Sequence, residues 1–413
     1  MKTLALVTAF PPGSGSLNEY ALHLANAFAR RPDLDRIIIL ADKMDVPLPE
    51  LNLDPKIEVR RVWTFNDMLS VHKITKAIDK CKPDNVLFNL QTASFGDKEI
   101  PAALGLLAPA LTQLKGHGTG VLMHNLIDAV DLAQTNLANQ KLRQKIVELA
   151  GTLITKIMLK AGYVSVTLDS FHEILTSKYK AKNAFMVPHG SFPIASTLPT
   201  YRLSERSNKI VTMGKFGTYK KLERLIFAIQ NINKTRPEED KISLIIGGSD
   251  HPATPGYLEG LANMFKSDDA IKFHGYVAEE DVEGFFKQAR LAVFDYDSTT
   301  GSSGVLHQAA IYGTPPVYPM MGDFVDVTER EGLSGFHYTP LDQDSLERSI
   351  EQGLSKAKTA QSIADNNLDV SKGVTMDTVA AAQLRLMHRV NMGWFLKTRI
   401  SDNKVVLLTA KSA

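Results

Sequence analysis

The sequence predicts an α/β fold made of two doubly wound domains that face one another across a cleft. Short apolar runs alternate with amphipathic helical stretches along almost the whole chain, a pattern typical of parallel sheets with helices on both faces. One polar stretch, residues 196–208, interrupts this alternation near the middle of the chain. A length of 413 residues is also sufficient for two or three domains.

The predicted strands are short runs rich in Val, Ile, Leu and Phe, as expected of parallel strands that are buried on both faces. In the first half of the chain they are Leu4–Ala9, Arg36–Ala41, Asn85–Leu90, Gly120–Leu126 and Tyr163–Leu168. In the second half they are Lys209–Met213, Ser243–Ile246, Ile271–Val277, Leu291–Tyr296 and Pro316–Met320. The intervening helices carry apolar residues at a helical period, as at Leu17, Tyr20, Leu24 and Phe28.

The polar interruption contains Pro199 and has neither a strand period nor a helix period, so it predicts a domain boundary. We predict an N-terminal domain at residues 1–197, a linker at 198–208 and a C-terminal domain at 209–373. The segment 374–413 is predicted to contain one long helix, Val374–Ile400, that packs back toward the N-terminal domain. Because ligands of open α/β sheets bind at the carboxyl ends of the strands, we expect the site in the cleft.

Composition excludes several classes of protein. Lys and Arg number 47 against 45 Asp and Glu, a net charge of +2, which is too even for a general polyanion binder. The only cysteine, Cys81, excludes an internal disulfide framework and a cysteine-cluster metal site. No apolar run is long enough for a spanning helix, and Met1-Lys2 leads directly into a predicted strand without a signal pattern. We therefore expect a cytoplasmic protein.

A glycine-containing loop, Phe10–Gly15, joins the first predicted strand to its helix. Ser16 and Glu19 form a capping-box pattern that marks the start of this helix. N–H groups at a helix N-terminus bind anions or polar substrates, so Gly13 and Gly15 are candidate ligand contacts. The third glycine of a dinucleotide fingerprint is absent, and a simple tight turn remains the alternative.

A second loop, Met213–Lys221, leaves the first strand of the C-terminal domain and carries Lys215, Lys220 and Lys221. Lysines at the mouth of the cleft would neutralise a diphosphate, whereas the alternative is a solvated surface pair. A third loop, Ser298–Gly304, consists of Ser, Thr and Gly residues and opens a helix that Gly313 and Pro315 end. Such a loop offers several backbone donors to a phosphate or to sugar hydroxyls.

These three loops, in this order along the chain, resemble those of the retaining GT-B glycosyltransferases, in particular glycosyltransferase family 4, also described as glycosyl transferases group 1. The resemblance covers nearly the whole chain and implies a GT-B fold of two Rossmann-like domains. The segments that match the family's pattern are Phe10–Gly15, His124, Val187–Gly190, Gly214-Lys215, Lys220, Gly247-Gly248, Phe273–Gly275 and Gly313–Pro315.

The resemblance implies transfer of a hexose from a nucleoside diphosphate sugar to an acceptor hydroxyl with retention of configuration. The acceptor would be a polysaccharide, a lipid-linked sugar or a small molecule, and the fold cannot choose among them. No cofactor, no metal and no nucleic acid is implied. In similar enzymes the departing phosphate itself is thought to take the acceptor proton, so no protein base is named.

The resemblance also assigns site residues. Lys215, Lys220 and His124 are the predicted catalytic residues, the lysines at the diphosphate and His124 at the donor sugar. The predicted donor-binding residues are Gly13, Gly15, Gly214, Gly248, Thr300, Ser302, Ser303, Gly304, Val305 and Gln308.

Three of these positions depart from the family. Lys215 stands where the family has arginine, which keeps the charge but loses the bidentate fork. Thr300 and Gln308 stand where it has two glutamates. These departures leave open a degenerate member that binds a nucleotide-sugar or a partner subunit without turnover. A nucleotide-sugar epimerase is a third possible function.

Residues 141–160 predict an amphipathic helix with a basic face. Five basic residues accompany a single acid, Glu148, and an apolar stripe lies on the other side. The basic residues are Lys141, Arg143, Lys145, Lys156 and Lys160, and the stripe is Leu142, Ile146, Leu149, Leu153 and Ile157. Such a helix suits peripheral association with an anionic membrane surface. The alternative is that the stripe packs on the sheet.

Overall fold

The computed structural model describes residues 2–13, 17–44, 51–127, 141–192, 202–298 and 303–391. They form two compact units, each built on a parallel sheet of its own. Unit 1 comprises Met1–His189 with Met376–Ala413, and unit 2 comprises Gly190–Thr375. The predicted α/β class with two parallel sheets is confirmed, while the predicted domain bounds at 197, 208 and 373 stay predictions.

Unit 1 contains a seven-stranded sheet in the order β3-β2-β1-β4-β5-β6-β7. Its strands are β1 (Thr3–Val7), β2 (Arg36–Asp42), β3 (Ile57–Trp63), β4 (Asn85–Leu90), β5 (Gly118–Met123), β6 (Tyr163–Val166) and β7 (Ala184–Met186). Its first helices are α1 (Asn18–Ala29), α2 (Ser70–Cys81), α3 (Glu99–Gly105), α4 (Ala108–Leu114), α5 (Lys141–Met158) and α6 (Asp169–Glu173). Every residue of β4 and β6 is buried, as expected of parallel strands that are covered on both faces.

Unit 2 contains a six-stranded sheet in the order β10-β9-β8-β11-β12-β13. Its strands are β8 (Lys209–Phe216), β9 (Ser243–Asp250), β10 (Ile271–Gly275), β11 (Leu291–Val293), β12 (Pro316–Pro319) and β13 (Phe336–Tyr338). Its helices are α7 (Glu223–Lys234), α8 (Tyr257–Met264), α9 (Glu279–Lys287), α10 (Gly304–Ile311), α11 (Gly322–Glu331), α12 (Gln343–Ser355) and α13 (Ala357–Gly373). A short 3-10 turn, Leu203–Glu205, lies within the predicted linker.

The core of unit 2 joins the sheet to α7 and α12. Phe216, Leu225, Ile229, Leu291 and Ile350 are all fully or almost fully buried in one cluster. Each such side chain contributes roughly 1.5–3 kcal/mol when it leaves water. This packing holds the strands whose carboxyl ends carry the candidate site.

The last described helix, α14 (Met376–Asn391), belongs to unit 1, where it packs on α1 and β5. Its Gln383 is fully buried, accepts a hydrogen bond from the Tyr163 hydroxyl over 2.8 Å and donates one to the Ser165 hydroxyl over 2.9 Å. The predicted helix 374–400 thus corresponds to α14 over residues 376–391, and residues 392–400 lie outside the described ranges.

The strand order reverses once in each sheet. In unit 1 the chain moves away from β1 in one direction toward β2 and in the other toward β4, and in unit 2 β8 lies between β9 and β11. Ligands of open parallel sheets bind at the carboxyl ends of the strands at such reversal points. The residues that follow β1, β4, β8 and β11 are therefore the first place to look for a site.

Candidate functional site

The end of β8 and the turn after it bring two lysines together in unit 2. Lys215 lies in β8, and Lys220 ends a turn in which the Gly217 N–H donates to the Lys220 carbonyl oxygen over 2.9 Å. Gly217 has a φ of +111°, and a Cβ there would lie 2.2 Å from the Thr254 hydroxyl oxygen, so only glycine fits. Lys215 lies close enough to Lys220 to lower its pKa.

The Lys220 ammonium lies against aromatic rings rather than against a carboxylate. Its Nζ is 4.4 Å from the centre of the Tyr296 ring and 5.7 Å from that of Tyr219. No carboxylate of the described residues forms an ion pair with it. Burial, assisted by the charge of Lys215, lowers the pKa of Lys220 from its ordinary value of 10.5 to about 8. A buried cation without a counter-charge is costly, and an anionic ligand would relieve that cost.

Two glycines allow β8 and β9 to approach closely beside these lysines. Gly214 pairs with Gly248 in the sheet, and Gly248 has a φ of +141°. A Cβ at Gly248 would lie 1.9 Å from the Gly214 carbonyl oxygen, so no other residue fits there. A Cβ at Gly214 would touch the Lys220 side chain at 3.5 Å. Gly214 and Gly248, two of the predicted donor-binding residues, therefore shape the backbone around Lys220.

Asp250 ends β9 and His251 follows it, and the sequence predicts that both residues lie in a loop that contacts the nucleotide. The Asp250 carboxylate accepts hydrogen bonds from the N–H groups of Gly256 and Leu258, at 2.6 and 2.9 Å, and so holds the start of α8. The pKa of His251 is lowered by burial and by the charges of Lys215 and Lys220. His251 therefore lies close to Lys215 and Lys220, whereas Asp250 stabilises the start of α8.

The segment after β11 is fixed by a buried polar network. Arg224 donates to Asp295 over 2.9 and 2.6 Å and to Asp297 over 2.9 Å. The Tyr338 hydroxyl donates to the same Asp295 oxygen over 2.6 Å. The residue between the two aspartates, Tyr296, is thereby held with its ring under Lys220. This placement makes Tyr296 part of the candidate site.

The N-terminus of α10 contains the third predicted loop. Ser303, Gly304, Val305 and Gln308 lie in its first turns and are partly buried, while Thr300 and Ser302 lie outside the described residues. The first turn of a helix leaves backbone N–H groups without intrahelical acceptors, and its positive end attracts anions. The structure thus places four of the six predicted residues of this loop at one helix N-terminus.

His307 holds this helix start in place. Its Nδ1 lies 3.0 Å from the Ser303 carbonyl oxygen and its Nε2 lies 2.9 Å from a Glu331 carboxylate oxygen. Because both partners are acceptors, both ring nitrogens must donate, which requires the imidazolium form. Burial lowers the pKa of His307, but the Glu331 carboxylate outweighs it and the net shift is upward.

In unit 1, His124 follows β5 at the same edge of the sheet as the ends of β1 and β4. Its Nε2 lies 2.7 Å from the Asn89 side-chain oxygen, and the Asn89 amide donates to the Thr8 hydroxyl over 3.0 Å. The ring centres of Tyr20 and His189 lie 4.4 and 5.9 Å from that of His124. Burial, with the neighbouring His189, lowers the pKa of His124 well below 6.5. His124 is therefore a neutral, oriented side chain at neutral pH.

The loop after β1 is fastened to β2 and β3. The Phe10 N–H donates to Asp42 over 3.1 Å, and the Arg61 guanidinium donates to the carbonyl oxygens of Phe10, at 2.9 Å, and Pro11. Gly13 lies against Asn18, since a Cβ there would be 2.8 Å from the Asn18 amide nitrogen. Gly15 and the predicted cap Ser16 lie outside the described residues, and α1 is described from Asn18.

Three site residues were missed by sequence reasoning. Tyr20 had been assigned only to the buried stripe of α1, Tyr296 only to a strand, and His189 only to a family segment. The available signal for Tyr296 was its position between two acids, Asp295 and Asp297, just after an apolar strand.

The amphipathic helix α5 exposes part of its apolar stripe. Leu149 is 72% exposed and Leu153 is 59% exposed, whereas Ile154 and Met158 face the core. Lys145, Lys156 and Lys160 are exposed as well. The side chains of Lys141, Leu142, Arg143 and Ile146 lie outside what the structure describes. The alternative that the whole stripe packs on the sheet is wrong for Leu149 and Leu153.

Comparison with known proteins supports the resemblance in the second half of the chain. Residues 198–369 match the family described as glycosyl transferases group 1. No functionally curated protein matches the sequence. The match includes Lys215, Lys220 and the whole of α10.

Solved structures show the fold. A sucrose-phosphate synthase from Thermosynechococcus elongatus has a TM-score of 0.72 at 17% identity, over 95% of this chain and 100% of that one. HepE of Anabaena in complex with UDP has a TM-score of 0.65 at 16% identity, over 94% and 100%. The catalytic domain of starch synthase IV from Arabidopsis thaliana, bound to ADP and acarbose, has a TM-score of 0.66 at 11% identity, over 94% and 99%. The GT-B fold expected from the sequence is confirmed.

The described residues contain no candidate membrane span and no group of side chains suited to a metal ion. No described helix is both long and apolar enough to cross a membrane. Within the same ranges, no three His, Cys, Asp or Glu side chains are grouped so as to hold a metal ion. The expected independence of metal stays a prediction.

Proposed function

We propose that this chain is a retaining glycosyltransferase that transfers a hexose from a nucleoside diphosphate sugar to an acceptor hydroxyl. The observation that carries the proposal is the buried Lys220 ammonium, which has Tyr296 beneath it and no carboxylate partner among the described residues. It lies in the region that matches glycosyl transferases group 1. An arrangement of this kind is suited to a ligand with concentrated negative charge, such as a diphosphate.

The proposed role of unit 2 is to bind the donor and stabilise the departing diphosphate. Negative charge develops on the diphosphate as the bond to the sugar breaks. Lys215, Lys220 and the N-terminus of α10 supply positive charge that is already oriented, which is the most effective form of electrostatic catalysis. UDP in HepE and ADP in starch synthase IV make uridine and adenine nucleotides the first donors to try.

The proposed role of His124 is to contact the donor sugar. Its ring is neutral, and the Asn89 side-chain oxygen accepts from Nε2–H, which leaves Nδ1 as an acceptor. A neutral acceptor of this kind suits a sugar hydroxyl better than a phosphate. The proposal includes no protein base, because the departing phosphate takes the acceptor proton. It also includes no metal.

The first test measures the binding of UDP, GDP, ADP and their sugar conjugates through the shift that each ligand causes in thermal unfolding. A ligand at about 100 times its dissociation constant should stabilise the protein by roughly 2.7 kcal/mol. We expect one nucleotide to give this shift with the wild-type protein and with Lys221→Met, and not with Lys220→Met. Lys221 is a matched control because it is the adjacent residue, is 56% exposed and lies 3.9 Å from Asp297. The absence of a shift with every nucleotide would contradict the proposal.

Turnover separates the transferase from a degenerate binding protein. Thr300 and Gln308, in place of two glutamates, motivate that alternative. We expect donor hydrolysis or transfer, followed as release of free nucleotide, to be lost in Lys220→Met. Tight binding of a nucleotide-sugar without release of free nucleotide would favour the degenerate binding protein, provided that polysaccharide, lipid-linked and small-sugar acceptors have all been tried.

We also propose peripheral association with an anionic membrane surface through α5. Lys145, Leu149, Leu153 and Lys156 recur at a helical period in α5 and are exposed, so these lysines lie beside the leucines on one face rather than opposite them. Lys160 follows the end of α5 and is exposed as well. Leucines flanked by lysines suit insertion at the headgroup level of an anionic bilayer. Vesicles with phosphatidylglycerol should retain the wild-type protein at low salt, and the double variant Leu149→Ser and Leu153→Ser should stay in solution. Equal retention of both proteins would contradict the proposal.

A further inference from the structure

Two hydroxyl groups at the candidate site are buried without a hydrogen-bond partner of good geometry. They are the Tyr296 Oη and the Ser303 Oγ. Tyr296 is 2% exposed as a whole residue. Burial raises the pKa of Tyr296, and a weak hydrogen bond with the Ser303 hydroxyl lowers it, so the two hydroxyls lie within reach of one another but make no hydrogen bond to any other described group. Leaving such a group unsatisfied is unfavourable, so most buried hydroxyls in proteins are paired.

Both hydroxyls lie where positive charge is concentrated. The Tyr296 ring lies under the Lys220 ammonium, and Ser303 is the residue that immediately precedes α10. The Ser303 side chain does not cap α10, so it makes none of the bonds that a serine usually makes at that position. A third buried and unpaired hydroxyl, Thr218 Oγ1, lies in the turn that carries Lys220.

The backbone at both positions is held by buried polar contacts. Tyr296 lies between Asp295 and Asp297, which are both bound by Arg224 at 2.6–2.9 Å. The Ser303 backbone is bound by His307, which is itself paired with Glu331. Such supporting contacts are what a preorganised ligand-binding position requires.

We propose that Tyr296 is a ligand-binding residue whose hydroxyl, together with that of Ser303, donates hydrogen bonds to oxygens of the diphosphate that Lys220 attracts. The inference rests on the proposed function, because it assumes that a diphosphate binds in unit 2. The groups that converge on this position are an ammonium, hydroxyls and a helix N-terminus, which all offer positive charge or protons. That set fits an oxyanion with several acceptor oxygens.

In this proposal the Tyr296 ring has a second role, which is to stabilise the Lys220 ammonium. A cation about 4–6 Å above an aromatic face is attracted to it. The ring therefore supports Lys220 while no anion is present, and the hydroxyl acts when the anion binds. Phenylalanine at this position would keep the first task and lose the second.

The test compares Tyr296→Phe and Ser303→Ala with the wild-type protein, using inorganic pyrophosphate and UDP as probes in calorimetric titrations. A hydrogen bond to a charged group is worth enough that each variant should bind both probes roughly 10-fold more weakly. The melting temperature without probe should stay the same or rise, because each change removes an unsatisfied buried group. Tyr296→Leu should bind more weakly than Tyr296→Phe, since it removes the ring as well.

The matched control is Tyr163→Phe in unit 1. Tyr163 is equally buried, but its hydroxyl donates to Gln383 over 2.8 Å. Its loss should lower the melting temperature and leave the affinity for both probes unchanged. Wild-type affinity in Tyr296→Phe, or a fall in its melting temperature like that of Tyr163→Phe, would overturn the inference alone. Failure of the wild-type protein to bind either probe would overturn the proposed function and this inference with it.

Discussion

At Lys220, stability and the proposed function are in conflict. Its ammonium is buried over an aromatic ring instead of being hydrated or paired. We expect Lys220→Met to raise the melting temperature at pH 7 while it abolishes nucleotide binding, because methionine keeps the apolar stem and removes the buried charge. Thermal unfolding with and without nucleotide measures both effects. Loss of stability in Lys220→Met would mean that the ammonium has a favourable partner.

The same residue predicts a pH dependence with a definite sign. The pKa of Lys220 is about 8 in the folded protein and 10.5 ordinarily, so the unfolded chain binds more protons between these values. Its contribution should therefore make the ligand-free protein more stable as the pH rises from about 8 to 10.5. Nucleotide affinity should fall over the same interval, because the anion requires the ammonium form.

Proton uptake provides the direct measurement of this coupling. Anion binding raises the pKa of Lys220, so binding at pH 8 should take up roughly half a proton. Calorimetric titrations in two buffers of different ionisation enthalpy give this number. The variant Lys221→Met should show the same uptake as the wild-type protein, and an affinity that is flat from pH 7 to 10 would contradict the assignment.

At the scale of single elements, the junction of β8 and β9 depends on glycine. We expect Gly248→Ala to destabilise the protein by about 2–3 kcal/mol or more, since its φ of +141° is combined with a Cβ only 1.9 Å from the Gly214 oxygen. Gly260→Ala is the matched control, because it lies in α8 with no atom within 4 Å of the new Cβ. That variant should be neutral or more stable by up to about 1 kcal/mol. Chemical denaturation distinguishes the two, and equal stabilities would contradict the geometry.

At the scale of the whole molecule, the chain returns to unit 1 after completing unit 2. Gln383 of α14 is the buried polar link between this last helix and β6. We expect Gln383→Leu to destabilise unit 1 by about 1–3 kcal/mol, because Tyr163 loses its partner. Hydrogen exchange should increase in residues 118–123 and 163–166 and stay unchanged in 209–216. The affinity for nucleotide should not change, and a loss of affinity would show that the two units are coupled through α14.

Local pattern was sufficient to predict the class of fold and several backbone features. The apolar runs predicted the parallel strands because strands buried on both faces cannot alternate, and β4 is buried throughout. Gly217, at a φ of +111°, lies in the turn that the sequence predicts before Lys220, whereas Gly214 and Gly248 lie within β8 and β9, which extend beyond the predicted strand ends at Met213 and Ile246. The turn depends on neighbours in sequence, so the sequence contains it directly, while the strand ends depend on pairing with a distant strand.

The environment of each side chain was decided by the tertiary structure alone. The sequence placed Lys220 in a loop, but the ring beneath it comes from Tyr296, in the segment that follows β11. His124 was selected for its strand end, whereas its neighbours Tyr20 and His189 arrive from the start of α1 and the end of β7. Leu149 and Leu153 had the periodicity of a buried stripe and are exposed. Period and motif are local, but burial, charge pairing and pKa depend on which distant segments meet, and only the folded chain determines that.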